Sequence, residues 1–208
     1  MNLDCYDTII LDCDGVIFDS NNLKIEAFRE SLLRYDNNIV DQFIKYFAKN
    51  FGRSRYVFAR EFIENFLCID FNESLYNEIL KDYSKKCCEL YSRALLTDNF
   101  LSFIKKYQYK NIFIASGSDQ VELREVFTNR NLEHYFVDIF GSPTDKSKIV
   151  KSIVSKYKNS IMIGDAKSDM LASLDNNINF IFMKQYSTNI DMINDNSLKS
   201  INNLGDLI

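Results

Sequence analysis

Four short clusters hold the side chains of this 208-residue chain that are suited to chemistry: Asp12-Cys13-Asp14-Gly15, Ser116-Gly117-Ser118, Gly141-Ser142-Pro143-Thr144-Asp145-Lys146, and Gly164-Asp165-Ala166-Lys167-Ser168-Asp169. Together they offer several carboxylates, a few hydroxyls and a lysine. Magnesium takes about six hard oxygen ligands, some from carboxylates and the rest from water. Asp12 and Asp165 suit such an ion if the fold makes them converge. A carboxylate can also attack phosphorus and carry the phosphoryl group as a mixed anhydride. Transfer of that anionic group depends on positioning and positive charge, which a cation and Lys146 would supply. Ser116 and the backbone N–H groups of Gly117 and Ser118, near a helix N-terminus, suit phosphate oxygens. Gly15 and Gly164 permit close backbone approach.

The elements that must position these clusters follow from periodicity. Residues 7–12 form an apolar run ending in acid, which predicts a buried strand entering a tight turn. From about 21 to 93 the rhythm is helical: Ile25, Phe28 and Leu32 are spaced by three and four, and Tyr76, Leu80, Tyr83, Cys87, Leu90 and Ala94 mark a long helix. Segments 39–50 and 55–67 also read as helices. Strands are then predicted over 111–115, 135–140, 160–164 and 179–183, alternating with helices over 119–128, 145–157 and 168–176. The tail from 189 onward is polar with scattered Ile and Leu and reads as a closing helix. Strands alternating with helices signal a parallel sheet covered on both faces. The fold class is α/β, a Rossmann-like parallel sheet core (1–19 and 94–208) with an inserted all-helical cap domain (20–93). In such sheets ligands bind beyond the carboxyl ends of the strands, where all four clusters fall.

In this order, after these strands, the clusters resemble the motifs of the haloacid dehalogenase superfamily. Asp12-Cys13-Asp14-Gly15-Val16 resembles the first, Ser116-Gly117 the second, Lys146 the third, and Gly164-Asp165-Ala166-Lys167-Ser168-Asp169 the fourth. The helical insert is similar to the cap of phosphoglycolate-phosphatase-like and β-phosphoglucomutase-like members. The resemblance implies Asp12 as nucleophile and Asp14 as acid/base. It implies Mg2+ on Asp12, Asp14 (through its backbone carbonyl) and Asp165, with Asp169 beside the ion or orienting Lys146. Ser116, Gly117 and Lys146 would hold the phosphate. Lys148 lies two residues beyond Lys146; Lys146 is preferred because it precedes the helix, while Lys148 is already inside it. Gly52-Arg53-Ser54-Arg55 resembles the cap loop whose arginine grips the distal phosphate in β-phosphoglucomutases, which makes Arg55 a substrate-binding candidate. Those mutases carry a histidine in the first cap helix where this chain has Lys24.

The implied function is a magnesium-dependent phosphatase acting on a small phosphorylated metabolite, sugar phosphates included, through an aspartyl-phosphate. The alternative is a phosphosugar mutase using the same intermediate. A 2-haloacid dehalogenase needs neither the Asp14 acid nor a metal, and a non-catalytic binding module would not need the full set.

Composition sets the outer bounds. Apolar residues make up 46% and charged residues 26%, ordinary for a globular domain with a substantial core. Lys and Arg total 25 against 29 Asp and Glu, a net charge of -4, which is not the basic footprint of a nucleic-acid binder. No apolar stretch approaches the roughly 18 residues of a membrane span. The acids in Met1–Asp7 replace the positive region of a signal peptide, so the expected location is cytoplasmic and the expected state a monomer or weak dimer. The five cysteines lack metal spacing and read as reduced thiols. Cys13 should point away from its aspartate neighbours into the core, and His134, the only histidine, reads as a surface or packing residue.

Overall fold

The computed structural model describes residues 3–208. Its centre is a six-stranded parallel sheet of order β5-β4-β1-β6-β7-β8. The strands are β1 (Thr8–Leu11), β4 (Asn111–Asp119), β5 (Asp138–Ser142), β6 (Ser160–Gly164), β7 (Asn179–Met183) and β8 (Ser200–Ile201), with the two-residue β2 (Phe18–Asp19) and β3 (Leu95–Leu96) forming a separate antiparallel pair. Every residue of β1 and of β6 is buried, as parallel strands covered on both faces require. Ile10, Phe113, Ala115 and Met162 pack on one face against α7 (Lys146–Lys156) and α8 (Lys167–Asp175). Ile9, Leu11, Ile112, Ile114, Ile161 and Ile163 face the other way, toward α5 (Phe100–Tyr107) and α6 (Gln120–Asn129). This is the period-two alternation of a strand expressed on two cores.

Between β2 and β3 the chain forms only helices: α1 (Asn21–Ser31), α2 (Asn37–Lys49), α3 (Arg55–Glu61), which widens into one π turn at Phe62–Phe66, and α4 (Glu73–Arg93). Phe28 is the hub of their packing. Its ring lies 4.3 Å from that of Tyr83 in a stacked arrangement, and 5.0 and 4.9 Å from Phe43 and Phe47 edge-on. Asp36 caps α2 by accepting from the N–H groups of Asn38 and Ile39 at 2.9 and 3.3 Å, and Asn72 caps α4 through Leu75. The chain leaves the sheet through β2 and returns through β3, with Phe18 beside Leu96 and Asp19 beside Leu95, so both crossings lie side by side.

Several elements differ from the sequence reading. The strand expected over 135–140 is β5 over Asp138–Ser142, preceded by a 3-10 turn at Glu133–Tyr135. Helix α5 was not anticipated, although Phe100, Phe103, Ile104 and Tyr107 are its buried face. The tail is not one closing helix. It holds a single turn, α9 (Ile190–Ile193), then β8 as a sixth strand and a short 3-10 turn at Leu204–Leu207, because Ile201, Leu204 and Leu207 are buried against the sheet edge and α5. Lys146 does not precede α7 but is its first residue, with Asp145 as the cap. Among the described residues no helix is long and apolar enough to cross a membrane.

Removing the aromatic hub should be costly. Phe28→Ala should lower the unfolding free energy by about 3–5 kcal/mol, the usual range for truncating a buried phenylalanine; urea denaturation measures it, and a loss below about 1 kcal/mol would contradict the packing described.

Candidate active site

The register brings the clusters to one place. Leu11 pairs with Ile114 on one side and Ile163 on the other, so Asp12, Ser116 and Asp165 emerge at nearly one level at the carboxyl end of the sheet. Asp12, Asp14, Asp165 and Asp169 are each at most 4% exposed. One carboxylate oxygen from each of Asp12, Asp165 and Asp169 lies within 4.8 Å of the others. Lys146, the first residue of α7, reaches into this trio: its Nζ donates to Asp12 Oδ1 at 3.0 Å and Asp169 Oδ1 at 2.5 Å. Lys148 is exposed. Asp169, on the first turn of α8, also accepts from the backbone N–H of Ala166 at 3.0 Å.

The charges do not balance. Three buried carboxylates share one ammonium, and an anion in a low-dielectric site without a partner takes up a proton. Burial, and then the charge of Asp169, push Asp12 up to about 7 against the opposing pull of Lys146. Asp165 is raised well above the usual carboxylate range by burial and by the charges of Asp12 and Asp169. Asp165 Oδ1 is buried with no hydrogen-bond partner. An orphaned carboxylate oxygen within a cluster of hard oxygen donors fits a divalent cation such as Mg2+.

Asp14 is in the opposite state. Ser20 Oγ and Tyr91 OH donate to its Oδ1 at 2.5 and 2.7 Å, and Lys24 Nζ and Ser118 Oγ donate to its Oδ2 at 2.6 and 2.8 Å. Burial alone would raise this carboxyl, but the Lys24 ammonium and the hydrogen bonds outweigh it and hold Asp14 below its ordinary range. Gly15, the next residue, has φ +79°, and a Cβ there would collide with the Asp165 carboxylate. Only glycine combines that conformation with that approach.

The helical block takes part directly. Ser20, Asn21 and Lys24 stand at the start of α1, and all three reach core carboxylates: Ser20 and Lys24 hold Asp14, while Asn21 Nδ2 donates to Asp165 Oδ2 at 2.5 Å. Ser20 consequently makes no side-chain cap to its own helix. Lys24, noted in the sequence only as a departure from the mutase pattern, is thus part of the site, together with Ser20, Asn21 and Tyr91. The spacing Ser20-Asn21-x-x-Lys24 at a helix start was the available signal, since residues i and i+4 share a face. The loop from Gly52 closes over the second cluster, and a Cβ on Gly117 would strike the Gly52 carbonyl.

Between the block and the sheet lies a cavity of about 20 Å3, roughly the volume of one water by this measure. Asp12, Asp14, Ser116 and Gly117 line it from the sheet, and Lys24, Arg53, Arg55 and Tyr83 from the helices. Arg55 is 5% exposed. Its two terminal nitrogens donate to Glu122 Oε1 and Oε2 at 2.7 and 2.6 Å, and the guanidinium lies 4.8 Å from the Tyr83 ring centre. The sequence reading had no partner for it. Cys13 is buried in the core and His134 is exposed beside Tyr135; all five cysteines are free thiols.

Comparison with known proteins agrees with this geometry. Residues 9–183 match the model of the haloacid dehalogenase-like hydrolases. A predicted phosphatase from Clostridium acetobutylicum superposes with a TM-score of 0.75 at 16% identity, covering 98% of this chain and 96% of that one. A predicted phosphoglycolate phosphatase from Haemophilus somnus gives 0.76 at 13% identity, over 98% and 97%. A protein of Bacillus subtilis assigned as a HAD-hydrolase, in a magnesium-bound form, gives 0.67 at 16%, over 97% and 96%. At these identities the shared property is the fold. No curated protein matches the chain. Since the family match runs from β1 to the end of β7 and takes in every carboxylate of the cluster, the chain belongs to the haloacid dehalogenase-like hydrolases.

Proposed function

We propose that the protein is a magnesium-dependent phosphatase that hydrolyses a small phosphorylated metabolite through an aspartyl-phosphate on Asp12. The observation that carries this reading is the buried trio Asp12, Asp165 and Asp169 with one ammonium among them and one carboxylate oxygen left without a partner. The phosphatase names of the fold neighbours and the magnesium in the Bacillus subtilis structure support it. When bound, the ion supplies positive charge to the transferring phosphoryl oxygens.

The residues divide the work as follows. Asp12 attacks phosphorus, and Ser116, the backbone of Gly117 and Lys146 hold the equatorial oxygens. Asp14 gives a proton to the leaving oxygen and then takes one from the water that hydrolyses the anhydride. Its four donors keep it in the base form that the second step needs. Entry of a phosphate dianion raises its proton affinity for the first step, because a like charge nearby disfavours ionisation. The helical block over residues 20–93 acts as the cap on a core of 1–19 and 94–208. The cavity itself holds about one water and shares Phe51, Gly52, Arg53 and Gly117 with a cavity of about 570 Å3 that Lys146 also lines; the cap would swing about the β2–β3 crossing to admit a substrate between block and sheet.

Asp12→Asn should lower turnover of p-nitrophenyl phosphate by about three orders of magnitude or more while the circular dichroism spectrum is kept. Near-wild-type rates in the folded variant would contradict the nucleophile assignment.

The metal-free protein should also show an unusual pH dependence. An acid whose folded pKa lies above its unfolded one binds more protons when folded, so stability falls as pH rises between the two values. For Asp12 that window runs from 3.8 to about 7. In EDTA the melting temperature should fall across this range, and added Mg2+ should remove the slope. Asp165→Ala should weaken Mg2+ binding by about tenfold or more in calorimetry. A flat profile in EDTA together with unaltered Mg2+ affinity in the variant would contradict the ion site.

A further inference from the structure

The cap side of the cavity carries three cations, Lys24, Arg53 and Arg55, and each is matched to a carboxylate. Lys24 faces Asp14 at 2.6 Å, Arg53 faces Glu61 at 2.7 Å, and Arg55 faces Glu122 at 2.6 Å. The last pair is the most enclosed of the two that lie away from the reacting carboxylates, with side chains 5% and 14% exposed. It is bidentate, so both terminal nitrogens of the planar guanidinium are used. Ser84 Oγ from α4 also donates to Glu122 Oε1. Glu122 itself stands in the first turn of α6, where a carboxylate is favoured by the helix dipole. Its backbone N–H is held by Asp119 at 3.1 Å, and Asp119 accepts from Tyr56 OH at 2.7 Å. Glu122 is therefore pinned from both the sheet side and the cap side.

We infer that Glu122 is a specificity-determining residue: by neutralising Arg55 it excludes substrates with a second negative charge and selects a phosphomonoester whose remaining part is short and uncharged. This rests on the phosphatase reading and names its substrate class. A distal carboxylate or phosphate meeting Arg55 would have to displace Glu122, leaving a mostly buried carboxylate without its partner, which is heavily penalised. A neutral remainder meets no such obstacle. Arg55 Nε is buried with no partner, which leaves one donor for a hydroxyl or carbonyl oxygen. Phe47, Phe51 and Tyr83 line the same side of the cavity beside Lys24, Gly52 and Arg53, the two cations there being held by Asp14 and Glu61. Glu122 acts through Arg55 and is a positioning residue, not a catalytic one.

Two probes of similar size separate the charge from the shape: 2-phosphoglycolate, with a distal carboxylate, and 2-hydroxyethyl phosphate, with a distal hydroxyl. With Mg2+ present, the wild-type protein should favour 2-hydroxyethyl phosphate in kcat/KM by about tenfold or more. Glu122→Gln keeps the shape and removes the charge, and should shift the ratio toward 2-phosphoglycolate by about tenfold or more, chiefly through KM. In the double variant Arg55→Gln/Glu122→Gln that shift should disappear, because the gain requires the freed guanidinium. A wild-type preference for 2-phosphoglycolate would overturn the inference even if Glu122→Gln fails to fold. So would a ratio unmoved in folded Glu122→Gln, which would make the ion pair a structural latch only. The same ratio can be read as dissociation constants by calorimetry. Absence of turnover with any phosphomonoester therefore sinks the phosphatase reading, while an unmoved binding ratio sinks the role of Glu122.

Discussion

The structure depends on a charge imbalance buried at the end of a parallel sheet. Asp12, Asp165 and Asp169 meet within 4.8 Å around the ammonium of Lys146 alone. A fold does not gather unpaired buried anions for stability, since isolating each carboxylate from water costs several kcal/mol. On the proposed function the gathering becomes intelligible, because a divalent cation and a phosphoryl group would occupy the site together. Asp14, two residues from Asp12, shows the contrast: four donors surround it, and it stays ionised. Two aspartates side by side after one strand thus differ in proton affinity, and on the proposed mechanism a bound cation would return Asp12 to the anionic form that attack requires.

The helical block is tied to this centre more closely than a passive cover would be. Ser20, Asn21 and Lys24 spend the polar groups of one helical turn on Asp14 and Asp165. Further out, Arg55–Glu122 and Tyr56–Asp119 join α3 to the start of α6. The apolar core also runs without a break from the sheet into the block, through Phe18, Phe28 and Tyr91. The first turn of the block thus completes the environment of Asp14, and under the proposed cap motion the same turn would link access to the site with the acid/base state of that carboxyl.

Much of this was legible in the sequence. Carboxylates that follow apolar runs are placed by strand periodicity alone, which is why Asp12, Ser116 and Asp165 could be assigned to one edge of the sheet. The helical insert was equally clear, because Phe28, Tyr83 and Leu90 keep a helical rhythm with no strand pattern between them. What escaped were pairings between distant segments. Nothing in the neighbourhood of Arg55 points to Glu122, 67 residues away, and both look like surface charges on amphipathic helices. Lys24 was visible only as an odd residue at one position, since its partner Asp14 lies on another element. Helix α5 and the two-residue strand β8 were missed for different reasons. The first carried a clear periodic signal in Phe100, Phe103, Ile104 and Tyr107, whereas the second is too short to carry one.

The most direct test of the central claim is to trap the covalent intermediate. Wild-type protein incubated with Mg2+ and a phosphomonoester, quenched in acid and mapped by peptide mass spectrometry, should gain the mass of one phosphoryl group on the peptide containing Asp12, at that residue and dependent on Mg2+. Turnover with no adduct on Asp12, or an adduct on another side chain, would contradict the account.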